Sequence, residues 1–146
     1  EDYFSDCAEE VGLELETRGI ELVYANYVED NVQVIADGEQ IRRVIHNIIS
    51  NAIKYMDKPK GIIQIRIKDV GDFIQVEIED NGIGILEENL TKVFSFGFST
   101  KKDGHGFGLH SSAIAANEMG GSLSVESKGF GKGATFILTL PLMVPS

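Results

Sequence analysis

HNIISNAIKYM, residues 46–56, decides how this chain is read. At helical spacing, Asn47, Asn51, Lys54 and Tyr55 fall at i, i+4, i+7 and i+8 and project from one side. Two amide oxygens, an ammonium and an aromatic ring on one side suit a metal, a phosphate and a flat base. Ile41, Val44, Ile45, Ile48, Ile49, Ala52 and Met56 form the opposite stripe and give the helix a core to pack against. Taken alone, the two asparagines fit a solvent-facing helix side equally well.

Upstream, Asp37 is placed to cap this helix, with Gln40 three positions on as in a capping box. An amphipathic helix is expected over residues 4–17, where Phe4, Cys7, Ala8, Val11 and Leu15 share a face. Extended stretches follow at 20–28 and 32–36, separated by Glu-Asp-Asn. Downstream, Lys58-Pro59-Lys60-Gly61 ends the long helix and a hairpin begins. Ile63, Ile65 and Ile67 alternate with Gln64, Arg66 and Lys68; Ile74, Val76 and Ile78 alternate with Gln75, Glu77 and Glu79 around a Gly71-Asp72 turn. Such alternation marks strands covered on one face, with opposite charges free to pair across the ladder.

Residues 81–106 show no sustained periodicity and read as a long loop, with a short helix expected over 87–93 and phenylalanines 94, 96 and 98 able to dock part of it. Leu109, Ala113 and Ala116 mark a further helix ended by Gly120-Gly121. Strands at 122–127 and 134–142 flank a glycine-rich turn. The order of elements predicts an α/β (α+β) two-layer sandwich: a mixed, largely antiparallel sheet with helices on one face.

With 146 residues, 42% of them hydrophobic and only three prolines, the chain is long and apolar enough for one domain with a real core. No apolar run approaches the roughly 20 residues that span a bilayer, so no direct membrane contact is expected. The opening Glu-Asp-Tyr-Phe resembles neither a signal peptide nor a natural start, and residues 1–146 are expected to be a single domain from a longer protein. One cysteine excludes an internal disulfide and a cysteine-based zinc cluster, and Cys7 reads as a small core residue. A net charge of −10 opposes general nucleic-acid binding, so any polyanion must be held locally.

Two glycine-containing segments complete the chemistry. Asp80-Asn81-Gly82-Ile83-Gly84-Ile85 places a carboxylate at a strand end, followed by glycines that let backbone approach a ligand. By itself it reads as an ordinary Asp-Asn-Gly turn. Gly104-His105-Gly106-Phe107-Gly108-Leu109-His110 stands where the loop meets the next helix, and free amides there make a phosphate seat. It is neither a dinucleotide fingerprint nor a Walker motif.

Together these segments resemble, in order, the nucleotide-binding boxes of sensor histidine kinase catalytic domains, members of the Bergerat-fold ATPases. Residues 47–55 are similar to the N box, 80–85 to the first glycine box, 94–98 to the F box, 104–109 to the second glycine box and 131–136 to the closing glycine motif. The resemblance implies ATP and Mg²⁺ as cofactors. Asn51 would ligate the metal through its amide oxygen. Lys54 would meet phosphate, Tyr55 would lie against adenine and Asp80 would accept a hydrogen bond from its amine. Asn47, Gly82, Gly84 and Ile85 would also belong to the nucleotide-binding set, and Thr135 would close the base pocket near Asp80. Gly106 and Gly108 would admit phosphate to the helix start, with Gly104, His105, Phe107 and Leu109 of the same box counted among the nucleotide-binding residues. Phe96, Thr100, Lys101 and Lys102 would come from the loop, Lys101 joining Lys54 as a catalytic cation.

The resemblance also implies a reaction. Hydrolytic members such as gyrase and the Hsp90 chaperones carry a glutamate four residues before the metal-binding asparagine, where it activates water. Asn47 stands at that place here, and an amide cannot take the proton. Transfer of the γ-phosphate to another group fits better, with an anti-sigma-type serine kinase or an ATP-gated conformational module as alternatives. The phosphoacceptor would be a histidine on a separate helical dimerisation domain, with a response regulator downstream. His46, His105 and His110 read instead as packing or pocket-edge residues. The domain is expected in the cytoplasm, whether or not its parent is membrane-anchored.

Overall fold

The structure, a computed structural model, describes residues 3–28, 38–85, 87–90, 92–94, 107–129 and 131–141. The expected extended stretch at 32–36 and the capping Asp37 lie outside the described residues. Helix α1 (Tyr3–Thr17) leads into β1 (Ile20–Asn26), followed by helix α2 (Gly38–Lys54) and the strands β2 (Gly61–Asp69) and β3 (Phe73–Asp80). Helix α3 (Phe107–Glu118) precedes β4 (Ser122–Glu126) and β5 (Ala134–Pro141).

The five strands lie in the order β1-β2-β3-β5-β4. β1 and β2 are parallel, an arrangement that needs a crossover such as the one containing α2, and every other pair is antiparallel. Ile63, Ile65 and Ile67 of β2, Ile74, Val76 and Ile78 of β3, and Ala134, Phe136, Leu138 and Leu140 of β5 all point to one face and are buried. The α2 stripe of Ile41, Val44, Ile45, Ile48, Ile49 and Ala52 lies against them in a single core, joined by Phe4, Val11 and Leu15 of α1. Cys7 is a free, buried thiol at 2% exposure, as its helical spacing predicted.

The opposite sheet face is polar, and its charges pair across the ladder. Arg66 reaches Glu77 at 2.9 Å and Glu79 at 2.8 Å, and Lys68 reaches Glu77 at 3.1 Å. Burial alone would raise the Glu77 carboxyl, but hydrogen bonds from Arg66 and Lys68 outweigh it and hold the group below the usual carboxylate range.

Of the differences from the sequence expectation, two have a visible physical reason. β1 stops at Asn26 because the Asn26 Oδ1 accepts the Val28 N–H at 2.9 Å, turning the chain out of the ladder. The helix expected over 87–93 reduces, among the described residues, to a 3₁₀ turn at Glu87–Asn89. Its bonds run from Leu90 N to Glu87 O and from Lys92 N to Asn89 O. A segment this short with little to bury does not recover the cost of helix nucleation.

Candidate nucleotide site

β3 ends on Asp80, directly opposite Ile63 of β2 and Ala134 of β5, on the face that carries the helices. The Gly82 N–H donates to Asp80 Oδ1 at 2.9 Å, and the Ala134 N–H also donates to this carboxylate. Burial nevertheless pushes the Asp80 carboxyl above its ordinary value, with Glu79 and Asp57 adding to the rise and the two amides opposing it. A half-buried carboxylate whose charge the protein only partly compensates is primed for a hydrogen-bond donor from outside.

The loop after Asp80 is moulded onto the end of α2. The Ile83 N–H donates to the Tyr55 carbonyl at 3.0 Å, while the Tyr55 N–H bonds the Asn51 carbonyl at 3.2 Å. A Cβ on Gly82 would stand 2.7 Å from the Tyr55 carbonyl oxygen, so only glycine permits the approach. Asn51 and Lys54 in the last turn of α2, and Tyr55 directly after it, therefore lie beside the Asp80 loop. The Lys54 ammonium lies 5.4 Å from the centroid of the Tyr55 ring, within reach of a cation–π attraction. Asn81 turns the other way: its Oδ1 accepts the Ile62 N–H at 2.8 Å and its Nδ2 donates to the Lys60 carbonyl at 2.9 Å, anchoring the loop to the start of β2.

The β4–β5 connection forms the second wall. Gly133 N–H donates to the Gly82 carbonyl at 3.2 Å, and Gly131 N–H donates to the Ile83 carbonyl. Gly84, at φ +80°, lies against the Gly129 carbonyl, and Gly133, at φ +72°, against the Asp80 carbonyl; neither contact leaves room for a Cβ. Lys58 spans the same region, with its ammonium 3.4 Å from the Gly82 carbonyl, 3.5 Å from that of Gly131 and 3.1 Å from Asp57 Oδ1.

Other expected residues distribute as follows. Asn47 donates its Nδ2 to Ser112 Oγ at 3.0 Å, tying α2 to α3. Ile85 and Leu109 are partly buried against the core. Phe107 and Gly108 open α3, beside the loop whose earlier members Phe96, Thr100, Lys101, Lys102, Gly104, His105 and Gly106 lie outside the described residues. The loop's start is anchored: Phe94 meets Phe136 edge-on at 6.1 Å, and its carbonyl accepts from His110 Nδ1 at 3.0 Å. That bond requires the Nδ1–H tautomer of His110.

Thr135 is a correction. In the β3–β5 register it stands opposite Glu79, and strand alternation puts Glu79 on the outer, polar face while Asp80 faces the helices. Its side chain therefore cannot close a pocket beside Asp80. Ala134 holds that place, and its N–H reaches the carboxylate directly.

Residues 36–144 match the family described as "Histidine kinase-, DNA gyrase B-, and HSP90-like ATPase". The chain is 39% identical over 115 residues to the aerobic respiration control sensor protein ArcB of Escherichia coli, a match covering 74% of this chain and 14% of that protein. It is 36% identical over 131 residues to hybrid signal transduction histidine kinase B of Dictyostelium discoideum, covering 82% of this chain and 7% of the relative. The chain thus corresponds to a small part of each. Among solved structures, the nucleotide-free catalytic domain of histidine kinase ThkA superimposes with a TM-score of 0.81 at 28% identity, covering 95% of this chain and 94% of the other. The mycobacterial sensor histidine kinase MprB, at 22% identity, shares the fold with a TM-score of 0.82 over 97% of both chains.

Proposed function

This chain belongs to the histidine kinase-, DNA gyrase B- and HSP90-like ATPase family, and from that premise we propose that it binds Mg²⁺·ATP and donates the γ-phosphate to a histidine on a separate dimerisation and phosphoacceptor domain. The observation that carries this reading is Asp80, a partly buried carboxylate at a strand end, walled by Tyr55 on one side and Gly133 on the other through glycines that admit no side chain. Its acceptor oxygens suit the exocyclic amine of adenine, and the aromatic face of Tyr55 suits the ring.

The donor set also fits the metal. Among the described residues no three His, Cys, Asp or Glu side chains converge as a metal cage. Magnesium is commonly held by one or two protein oxygens together with water and substrate phosphates, and the Asn51 amide is such an oxygen at the end of α2 nearest the base pocket. When bound there, the ion supplies charge neutralisation along the polyphosphate. Lys54 adds a cation from the same helical turn, and Lys101 is assigned to the terminal phosphate. At Asn47, an amide engaged with Ser112 offers no carboxylate to draw a proton from water, which favours a phosphoryl donor over a motor-type hydrolase.

The response regulator would receive the phosphoryl group from the histidine. Among the described residues, no helix is long and apolar enough to cross a membrane. Incubating this chain with labelled ATP, Mg²⁺ and the histidine-bearing hairpin domain of its parent is expected to yield acid-labile phosphohistidine. An acid-stable phosphoserine on a partner would point to the serine-kinase alternative, and rapid phosphate release without any acceptor to the ATP-gated module.

A further inference from the structure

Ser127 follows the last residue of β4, outside every motif that identifies the family, and its hydroxyl is saturated. It accepts the Ile85 N–H at 3.0 Å and the Gly129 N–H at 3.2 Å, and it donates to the Gly133 carbonyl at 2.7 Å. One donor and two acceptor sites are all that a serine hydroxyl has. Its partners belong to the two loops that flank Asp80: Ile85 closes the loop after β3, and Gly129 and Gly133 belong to the β4–β5 connection.

The position of these loops governs the carboxylate. Gly82 N–H holds Asp80 Oδ1, Gly133 N–H holds the Gly82 carbonyl, and Gly133 itself rests against the Asp80 backbone. Ser127 binds the carbonyl of that same Gly133 and, through Ile85, the far end of the loop that carries Gly82. From this geometry we propose that Ser127 is a positioning residue for nucleobase recognition: by locking the two glycine loops together it aims the Asp80 carboxylate at the exocyclic amine of adenine. The inference rests on the assignment of Asp80 to the base.

The test compares affinities for ATP and for a purine ribonucleoside triphosphate that lacks the 6-amino group, by calorimetry on this chain. Native protein is expected to prefer ATP. Ser127→Ala, which leaves the Ile85 N–H and the Gly133 carbonyl without their partner, is expected to bind ATP about tenfold more weakly, with affinity for the amine-free analogue essentially unchanged. Ser127→Thr retains the hydroxyl and is expected to keep the native preference. Ser127→Cys, with its weaker hydrogen-bonding group, should fall between alanine and serine, and it serves as the readout if the alanine variant does not fold.

Equal losses of both ligands in the alanine or cysteine variant would reduce Ser127 to a general fold contact and overturn the proposal. So would loss of the preference in the threonine variant. A native protein that binds both nucleotides equally would instead overturn the Asp80 assignment, and this inference with it. A native preference left intact by alanine would overturn the role of Ser127 alone.

Discussion

Asp80→Ala is expected to weaken ATP binding by about 10- to 150-fold, the loss of one hydrogen bond to a charged acceptor, while leaving a folded protein. The reasoning starts from burial. Asp80 is held among Ile63, Ala134 and the glycine loops, and burial lifts its carboxyl above the ordinary value even though two backbone amides bond it. The free protein therefore bears the cost of an ionised group, which the proposed hydrogen bond from adenine would offset. A raised native value means the folded state holds its proton more tightly than the unfolded chain, whose aspartate titrates near pH 3.9. The contribution of this group to stability is thus fully present below that pH and is lost as pH rises through the raised native value.

Asp80→Asn removes the titration while keeping the size of the side chain. Measured by urea denaturation without nucleotide, its stability relative to native protein should improve as pH is raised from about 4 to 7. A relative stability that stays flat or falls over that range would show that burial does not penalise the charge. An unchanged dissociation constant for Asp80→Ala would remove Asp80 from the base pocket.

Gly133→Ala is expected to cost about 3 kcal/mol or more of stability, combining the left-handed backbone penalty with overpacking. At φ +72° the position already disfavours any side chain, and a Cβ there would collide with the Asp80 carbonyl and come within 3.2 Å of the Asn81 Cα. Backbone on both sides leaves no flexible group to yield. Gly71→Ala provides the control: its φ is +87°, yet nothing lies within 4 Å of the added carbon. Only the conformational term applies at that hairpin turn, and a loss of about 1 to 2 kcal/mol is expected. Denaturant unfolding of the two variants separates collision from conformation. Equal losses would mean that the closeness of Gly133 to Asp80 has no energetic consequence.

The layers of this fold were legible where burial is periodic. The stripe on α2 and the alternation in β2 and β3 are direct imprints of one-sided packing, and each residue they assign to the core is buried or lies partly buried against it. At the site, the carboxylate at the end of β3 could be read because it interrupts an alternating strand just before glycines. Thr135 was misread for a related reason. Its hydroxyl draws attention within Gly-Lys-Gly-Ala-Thr-Phe, but a one-residue step along a strand changes the face, and alternation counted back from Phe136 and Leu138 points Ala134 inward.

Ser127 and the Asn47–Ser112 bond could not be read at all: Ser112 and Ile85 are distant in sequence from the residues they bond, and every partner of Ser127 is backbone. The helix expected over 87–93 was too short to recover the cost of nucleation, and what remains among the described residues is a 3₁₀ turn.

The central claim is that the end of α2 and the loop after β3 make one nucleotide pocket. Titrating isotopically labelled protein with ATP, with and without Mg²⁺, while following the Gly82 backbone amide and the Asn51 side-chain amide by nuclear magnetic resonance tests it most directly. Both signals are expected to move together with a single dissociation constant, and the Asn51 signal to respond further when the metal is present. Movement of Gly82 with Asn51 unaffected by nucleotide or metal, or two unrelated binding curves, would contradict it.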